Sequence, residues 1–387
     1  MNTFKFFAIA SFLLISKMGL AQSSAVTSAW NYMRYEEYDK AQKYIDEAAN
    51  HDGTKDEPKT WLYRGQIYEN LGSHAAKKPA YKALSADPFG EAINSFNKCI
   101  SLDTKKRYSD EAALELQKLM IMMRNAGAGA YNSMDFASAL AYFEKYSTAK
   151  SGLEKFVNKF VADTSVIYYI AVCNYSLKNY DQAKAGLLLL SDTYKYPEGS
   201  VYNTLCDIYL ENKDTASAMK ILEKGMVQSN EKGKVNVQIS HFNLLSKQGK
   251  YAQAIEDGQK LLAASPDNVS IYKALGIVYQ KASKYKEAED LYNKLYAKSP
   301  NDLDVNLMLG ETYYNQGYEL YMKAQDAKDD KTSNKLEADA DVYFKKSIPY
   351  FETAYKLKSD DEMVKKALMA AYSITGNQKK ADELKGK

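Results

Sequence analysis

The sequence predicts an all-α solenoid built from about nine antiparallel helix-turn-helix repeats, and three observations carry that expectation. The first is a fixed period: Ala254 and Ala288 stand 34 residues apart, as do Pro266 and Pro300, and "YAQAIEDGQKLLAASPDN" is followed by "YKEAEDLYNKLYAKSPND". Self-similarity at such a period marks stacked repeats. The second is helical amphipathicity. Leu275, Tyr279, Leu291 and Leu295 recur at the three-to-four spacing that gives each helix one apolar stripe. The third is a small residue where two helices must cross closely, supplied by Gly276 and Ala288. One helix pair cannot bury both of its faces, so pairs must stack.

The elements follow in chain order. Met1 to Lys5 precede an apolar run from Phe6 to Ile15, and Gly19-Leu20-Ala21 precede Gln22. This is a secretory signal pattern over 1–21 with small residues before the cut, too short to span a membrane stably, and it places the chain outside the cytoplasm, periplasmic or secreted. Using the small residue of each second helix as a ruler gives Ala41, Ala92, Ala139, Ala183, Ala218, Ala254, Ala288, Ser347 and Ala381. The block 22–163 reads as irregular repeats with insertions, 164–301 as regular repeats, and 302–387 as repeats with a long charged insertion and a polar capping helix.

Insertions stretch the period. "SHAAKKPAYKALSADPF", Ser73 to Phe89, reads as an ordered loop inside the second pair, and "SGLEKFVNKFV" separates the third pair from the fourth. In the eighth pair, Tyr318 to Ala327 extends the first helix and "KDDKTSNKLEAD" reads as a charged mobile tip. Pro349 is expected to kink the next helix or mark its first turn, because it has no N–H to donate. The end of the chain, with Met369 and Tyr372 apolar and Lys379, Lys380, Lys385 and Lys387 charged, suits a cap that meets water.

The segment Trp61-Leu62-Tyr63-Arg64-Gly65-Gln66-Ile67-Tyr68 resembles the first helix (helix A) of a tetratricopeptide repeat. Tyr272, Gly276, Tyr279, Ala288, Tyr292 and Pro300 match its aromatic, small, aromatic, alanine, large and proline positions, 4, 8, 11, 20, 24 and 32. The resemblance implies a right-handed superhelix. It also implies that positions 2, 5, 9, 12 and 13 of helix A line a concave groove for a peptide or partner helix. Those positions give Arg124 and Tyr131, then Tyr168, Val172 and Tyr175, then Asn203, Asp207 and Glu211. They continue through Ile239, Asn243 and Lys247 to Lys273, Ile277 and Gln280. The mixture of aromatic, amide and charged side chains suits an extended peptide. Relatives that hold a chaperone's terminal carboxylate carry Lys at 5 and Asn at 9 of one helix. Here Lys273 goes with Ile277 and Asn243 with Ile239, which argues against that activity.

Little suggests chemistry. A net charge of +3 with both signs interspersed argues against a nucleic-acid partner. His51, His74 and His241 lie in separate repeats and read as structural or solvated. Cys206 and Cys99 occupy positions 8 and 27, where compact side chains pack; three dispersed cysteines make no disulfide framework, although a Cys173–Cys206 bridge between neighbouring helices is conceivable. The glycines of "RNAGAGAYNS" place Gly127 at the close-packing position 8, not in a phosphate loop. No cofactor, metal or catalytic residue is expected. The function expected is a non-enzymatic scaffold that binds a protein or peptide, in a bacterial cell envelope. The alternative is a carbohydrate-binding component of an outer-membrane uptake system. Self-association through an uncapped end stays open.

Overall fold

The computed structural model describes residues 25–157 and 161–385, so the signal segment expected over 1–21 lies outside the described residues. Every regular element described is a helix. The chain forms two compact units, one ending at Tyr196 and the other starting at Pro197. In the first, α1 (25–34) pairs with α2 (Tyr38–Asn50), and α3 (Pro58–His74) with α5 (Pro88–Leu102), across a short α4 (Pro79–Lys82). Then α6 (Ser109–Asn132) pairs with α7 (Phe136–Val157), and α8 (Thr164–Ser176) with α9 (Tyr180–Asp192).

The second unit continues with α10 (Gly199–Glu211) and α11 (Thr215–Gln228), α12 (Glu231–Lys247) and α13 (Tyr251–Ala264), and α14 (Val269–Lys281) and α15 (Tyr285–Lys298). It closes with α16 (Leu303–Gln325) and α17 (Asp330–Leu357), then α18 (Glu362–Ile374) and α19 (Gln378–Lys385). Within each unit successive pairs pack on one another, as α7 does on α8 and α13 on α14.

The nine ruler residues explain the pairing. Ala41, Ala92, Ala139, Ala183, Ala218, Ala254, Ala288, Ser347 and Ala381 are all buried at the crossing of their pairs. At several crossings a small residue faces a large one. A Cβ on Gly65 would lie 2.4 Å from the Phe96 ring, on Gly127 2.8 Å from Phe143, on Gly276 2.2 Å from Tyr292, and on Gly310 2.6 Å from Phe351. The sixth pair reverses the volumes, with Phe242 on helix A against Gly258 on helix B, 3.0 Å from where a Cβ would stand. What the fold needs is the summed volume, not its order.

The aromatic at position 4 has its own task. Trp61 Nε1 donates to Lys55 O at 2.6 Å and Tyr272 OH to Pro266 O at 3.1 Å, each reaching six residues back into the loop before its helix. Asn306 Nδ2 does the same to Pro300 O at 2.8 Å. The Ser-Pro turns then supply N-caps: Asn268 accepts from Ser270 N at 3.1 Å and Asp302 from Val305 N at 3.0 Å.

Seven of the A-to-B turns share one geometry. Glu36, Met134, Lys178, Lys213, Gly249, Ser283 and Gly376 all have φ between 50° and 80°. The next residue's N–H closes a bond five residues back, as Asn179 N does to Asn174 O at 2.8 Å and Lys284 N to Tyr279 O at 2.8 Å. This is the left-handed helix C-terminus that satisfies otherwise orphaned carbonyls.

Three expectations are corrected. The charged tip of the eighth pair is helical from Asp330 onward, because Ala340 and Phe344 are buried against α16 and Gly317 lets Phe344 approach to 2.9 Å of a Cβ position. Pro349 lies well inside α17 and not in its first turn, the second of the two places expected for it; buried Ser347, Phe351 and Ala354 hold that stretch in the stack despite the missing N–H. "SGLEKFV" belongs to α7, not to a separator. The Ser73–Phe89 insertion is ordered as expected: it forms α4 and buries Tyr81, whose hydroxyl donates to Glu36 O at 2.9 Å.

Candidate partner-binding faces of the A helices

The predicted face residues fall into two groups, one in each unit. In the first unit Arg124 of α6 is committed to the next A helix: its Nε lies 3.3 Å from Asp163 Oδ2 and an NH2 group donates to Ser165 Oγ at 3.2 Å. Asp163 caps α8, accepting from Ser165 N and Val166 N, and also accepts from Tyr146 OH at 2.9 Å. Burial pushes the Asp163 carboxyl up, but the hydrogen bonds from Ser165, Tyr146 and Val166 and the nearby guanidinium together hold it below the usual range. Tyr131 packs edge-on against Phe136 and Tyr169, with centroids 5.8 and 4.9 Å away. Tyr168 stacks on Tyr196 at 6.0 Å, Tyr175 leans on Tyr180 at 5.8 Å, and Val172 is half-buried beside them.

In the second unit Lys273 pairs with Asp304 of α16. Gln280 donates to Thr312 Oγ1 at 2.8 Å and accepts from Asn315 Nδ2 at 3.1 Å. These side chains tie consecutive A helices together, so only part of their capacity is left for a ligand. Asp207, Glu211, Asn243 and Lys247 are exposed, and Ile277 keeps 45% of its surface in water. Asn203 is half-buried, and its Oδ1 is buried without a hydrogen-bond partner among the described residues. An orphaned acceptor at position 5 favours a donor from outside.

The structure adds residues outside the face positions named above for α6 and the regular repeats. Glu69 of α3 is half-buried; burial and the neighbouring Glu115 carboxylate push its carboxyl up to about 7. Leu114 and Ile121 of α6 are 52% and 54% exposed. Glu311, at position 9 of α16, has its carboxyl pushed up by burial, and Tyr318, Tyr321 and Met322 are exposed on the last turns of that helix. The Ser73–Phe89 insertion also opens a cleft of about 750 Å³ against α7, lined by Phe89, Tyr142, Lys82, Asp87 and Lys145.

The groups weighed for chemistry are occupied structurally. His241 Nδ1 lies 2.5 Å from Asp257 Oδ2 in the sixth pair, His51 Nδ1 accepts from Gly53 N at 3.0 Å, and the His74 ring contacts Asn70 O at 2.8 Å. Cys99, Cys173 and Cys206 are free thiols, all buried. No helix among the described residues is long and apolar enough to cross a membrane.

A tetratricopeptide-repeat family model matches residues 240–317, from within α12 into α16. No curated protein of similar sequence was found. Similar solved structures include MamA, 15% identical over 48% of this chain and 93% of that one, with a TM-score of 0.38. Another is a tetratricopeptide repeat protein from Parabacteroides merdae, 12% identical over 66% and 99%, at 0.41. A third is the P58(IPK) TPR domain, 15% identical over 92% and 99%, at 0.28. The tetratricopeptide-repeat match thus covers helices α12 to α16, and small-against-large crossings of the kind found there recur at several other pairs between α3 and α17.

Proposed function

We propose that the chain is an exported, non-enzymatic scaffold of the bacterial cell envelope that binds a partner protein on the inner faces of its A helices. One observation carries this reading. Glu211, Asn243, Lys247 and Ile277 stay in water on helices whose other sides carry buried residues such as Leu205, Leu244 and Tyr279. Such a surface combines an apolar anchor with both signs of charge, which is what an extended segment of another protein can use. Arg124, Lys273 and Gln280 then serve mainly to hold adjacent A helices in register.

Cross-linking and affinity capture from intact envelopes tests it. A defined protein should be recovered, and Asp207→Ala with Asn243→Ala and Lys247→Ala, or Tyr168→Ala with Tyr175→Ala, should deplete it without changing the circular dichroism. Capture unaffected by both sets would remove the face assignment. Export is checked separately by the mass of the mature chain, expected to begin at Gln22.

A further inference from the structure

Three adjoining clefts run along the seam between α5 and α7, the second helices of the second and third pairs. The first, of about 750 Å³, lies between the Ser73–Phe89 insertion and the start of α7, with Phe89 and Tyr142 among its walls. The second, of about 220 Å³, shares Asp87, Ala141 and Lys145 with it, and the third, of about 470 Å³, shares Thr148 with the second. On α7 the lining residues Ser138, Ala141, Lys145, Thr148, Gly152 and Lys155 recur at three to four residues, so one face of that helix forms a wall from end to end. Ser138 to Lys155 makes the trough ~25 Å long. Its frame is built. A Cβ on Gly152 would overlap Asn97 Oδ1, and Asn97 Nδ2 donates to Thr148 O at 3.3 Å, tying α5 to α7. The insertion wall is held by buried Tyr81, whose hydroxyl donates to Glu36 O, and by Gln42 Nε2, which donates to Leu84 O at 3.1 Å.

The three sections differ in chemistry. The first is apolar and aromatic, and neither the Tyr142 hydroxyl nor the Lys82 ammonium has a hydrogen bond or ion pair among the described residues. In the second, Lys145 is paired with Asp87 at 3.2 Å and Glu144 is exposed, so the middle holds no cation to spare. The third is rich in hydroxyls. Ser101, Ser147 and Thr148 each donate to a carbonyl of their own helix, at 2.8, 2.9 and 3.0 Å, which leaves their oxygens able to accept. Lys155 stands at its far end without an ion pair among the described residues. The loop that leaves α5 after Ser101 adds Lys105, Lys106 and Arg107, all exposed and likewise without an ion pair among the described residues.

We propose that this trough binds an extended peptide segment of a partner protein, with one large apolar side chain against Phe89 and Tyr142 and a carboxylate at Lys155. It is a second contact surface, independent of the A-helix faces. The charge pattern selects the occupant: spare cations lie at the ends, so an acidic residue belongs at the Lys155 end and small uncharged residues belong beside Glu144. The hydroxyl oxygens meet backbone N–H groups, which an extended chain presents and a helix keeps for itself. Length sets the spacing. Tyr142 and Lys155 both line the trough and stand 13 residues apart on α7, ~20 Å along the helix, which an extended chain covers in about six residues. The segment should therefore carry its apolar and acidic residues about six positions apart, with small residues between them.

The test uses the full chain and fluorescein-labelled decapeptides on a Ser/Ala background, followed by anisotropy. Leu and Glu stand six positions apart, in both orders, because the trough does not fix the chain direction. Comparators carry Lys in place of Glu, Ser in place of Leu, or Leu and Glu only two positions apart. The tighter of the two orders should bind about fivefold or more better than its Lys comparator, the scale of an exposed ion pair exchanged for a repulsion, and should lose a similar factor in either other comparator. Lys155→Glu should remove the preference for Glu over Lys. Ala141→Trp, at an exposed position of the narrow middle cleft, should weaken binding about tenfold by filling it. Both variants should keep the circular dichroism of the parent. Equal binding of the Glu and Lys peptides, undiminished binding to Ala141→Trp, or no binding of any decapeptide overturns the inference. Binding of maltoheptaose with no peptide bound also overturns it, by giving the hydroxyl-lined section to a glycan. Neither variant touches α10 to α16, so the A-helix reading stands or falls on its own capture experiment.

Discussion

Gly276→Ala sets two effects of opposite sign against each other at one atom. On helix propensity alone, replacing a glycine inside α14 with alanine should stabilise the protein by ~1 kcal/mol. The structure says otherwise, because the new methyl would stand 2.2 Å from Tyr292 Cζ and 2.3 Å from its hydroxyl oxygen. Tyr292 is fully buried and donates to Lys273 O at 3.2 Å, so it has nowhere to withdraw without losing that bond. Overpacking typically costs ~1–3 kcal/mol and the strained hydrogen bond ~1 more, so the clash outweighs the propensity gain and the net loss is ~1–3 kcal/mol. For a unit of this size that corresponds to a Tm lower by ~2–12 °C.

Gly129 of α6 is the matched control, since nothing lies within 4 Å of where its Cβ would be. Gly129→Ala should raise stability by ~0.5–1 kcal/mol. Urea unfolding of both variants, with Tyr292→Leu alone and combined with Gly276→Ala, completes the cycle. The double variant should lose less than the sum of the single losses by ~1 kcal/mol or more, because the shorter side chain makes room for the methyl. A stabilising Gly276→Ala, or strict additivity with Tyr292→Leu, would refute the small-against-large account of the crossings.

Other expectations follow from single features. Met134, Lys178 and Lys213 occupy left-handed turns at φ 60°, 64° and 58°, so glycine at each should stabilise by ~0.5 kcal/mol after its greater unfolded-state freedom is subtracted; a combined variant with an unchanged urea midpoint would contradict this. The depressed Asp163 carboxyl contributes stability that is present above its unfolded pKa and is lost as pH falls through the folded one. Asp163→Asn should accordingly cost ~1–2 kcal/mol at pH 7 and soften the acid-induced loss of stability below about pH 4, read by thermal melts from pH 3 to 7. Burial pushes Cys99 up to about 12 and Cys173 and Cys206 up to about 11, so a thiol reagent at pH 8 should label none of them until the chain is unfolded.

The repeat frame was legible because packing imposes it locally. Each ruler residue, from Ala41 to Ala381, had to be small for two helices to cross, and each is buried. The charged tip was misread because its lysines and aspartates hide a sparser period: Leu336, Ala340, Phe344, Ser347 and Phe351 recur at three to four residues and carry α17 through Pro349. Two of the left-handed turns announced themselves as Gly249 and Gly376, but Glu36, Met134, Lys178, Lys213 and Ser283 adopt the same geometry without the residue that signals it.

The candidate binding faces were harder to read for a different reason. Position within a repeat places a side chain on a face but does not reveal its neighbours on the next helix. Lys273 meets Asp304 and Gln280 meets Thr312 only once the repeats stack, which shifts both from ligand contacts toward structural ties. Leu114 escaped because α6 begins ahead of the 34-residue template, whereas Glu69 stands at position 12 of α3, in a repeat outside the regular stretch that the template fits.

The most direct test of the scaffold claim is photo-cross-linking in living cells, with a photoreactive residue placed singly at Asp207 or Asn243 on the inner faces and at Lys220 or Lys294 on exposed positions of the B helices. The inner positions should give one adduct of defined mass with the same partner, and the outer positions none. Adducts of equal yield at Lys220 and Lys294, or none at Asp207 and Asn243, would contradict recognition through the A-helix faces.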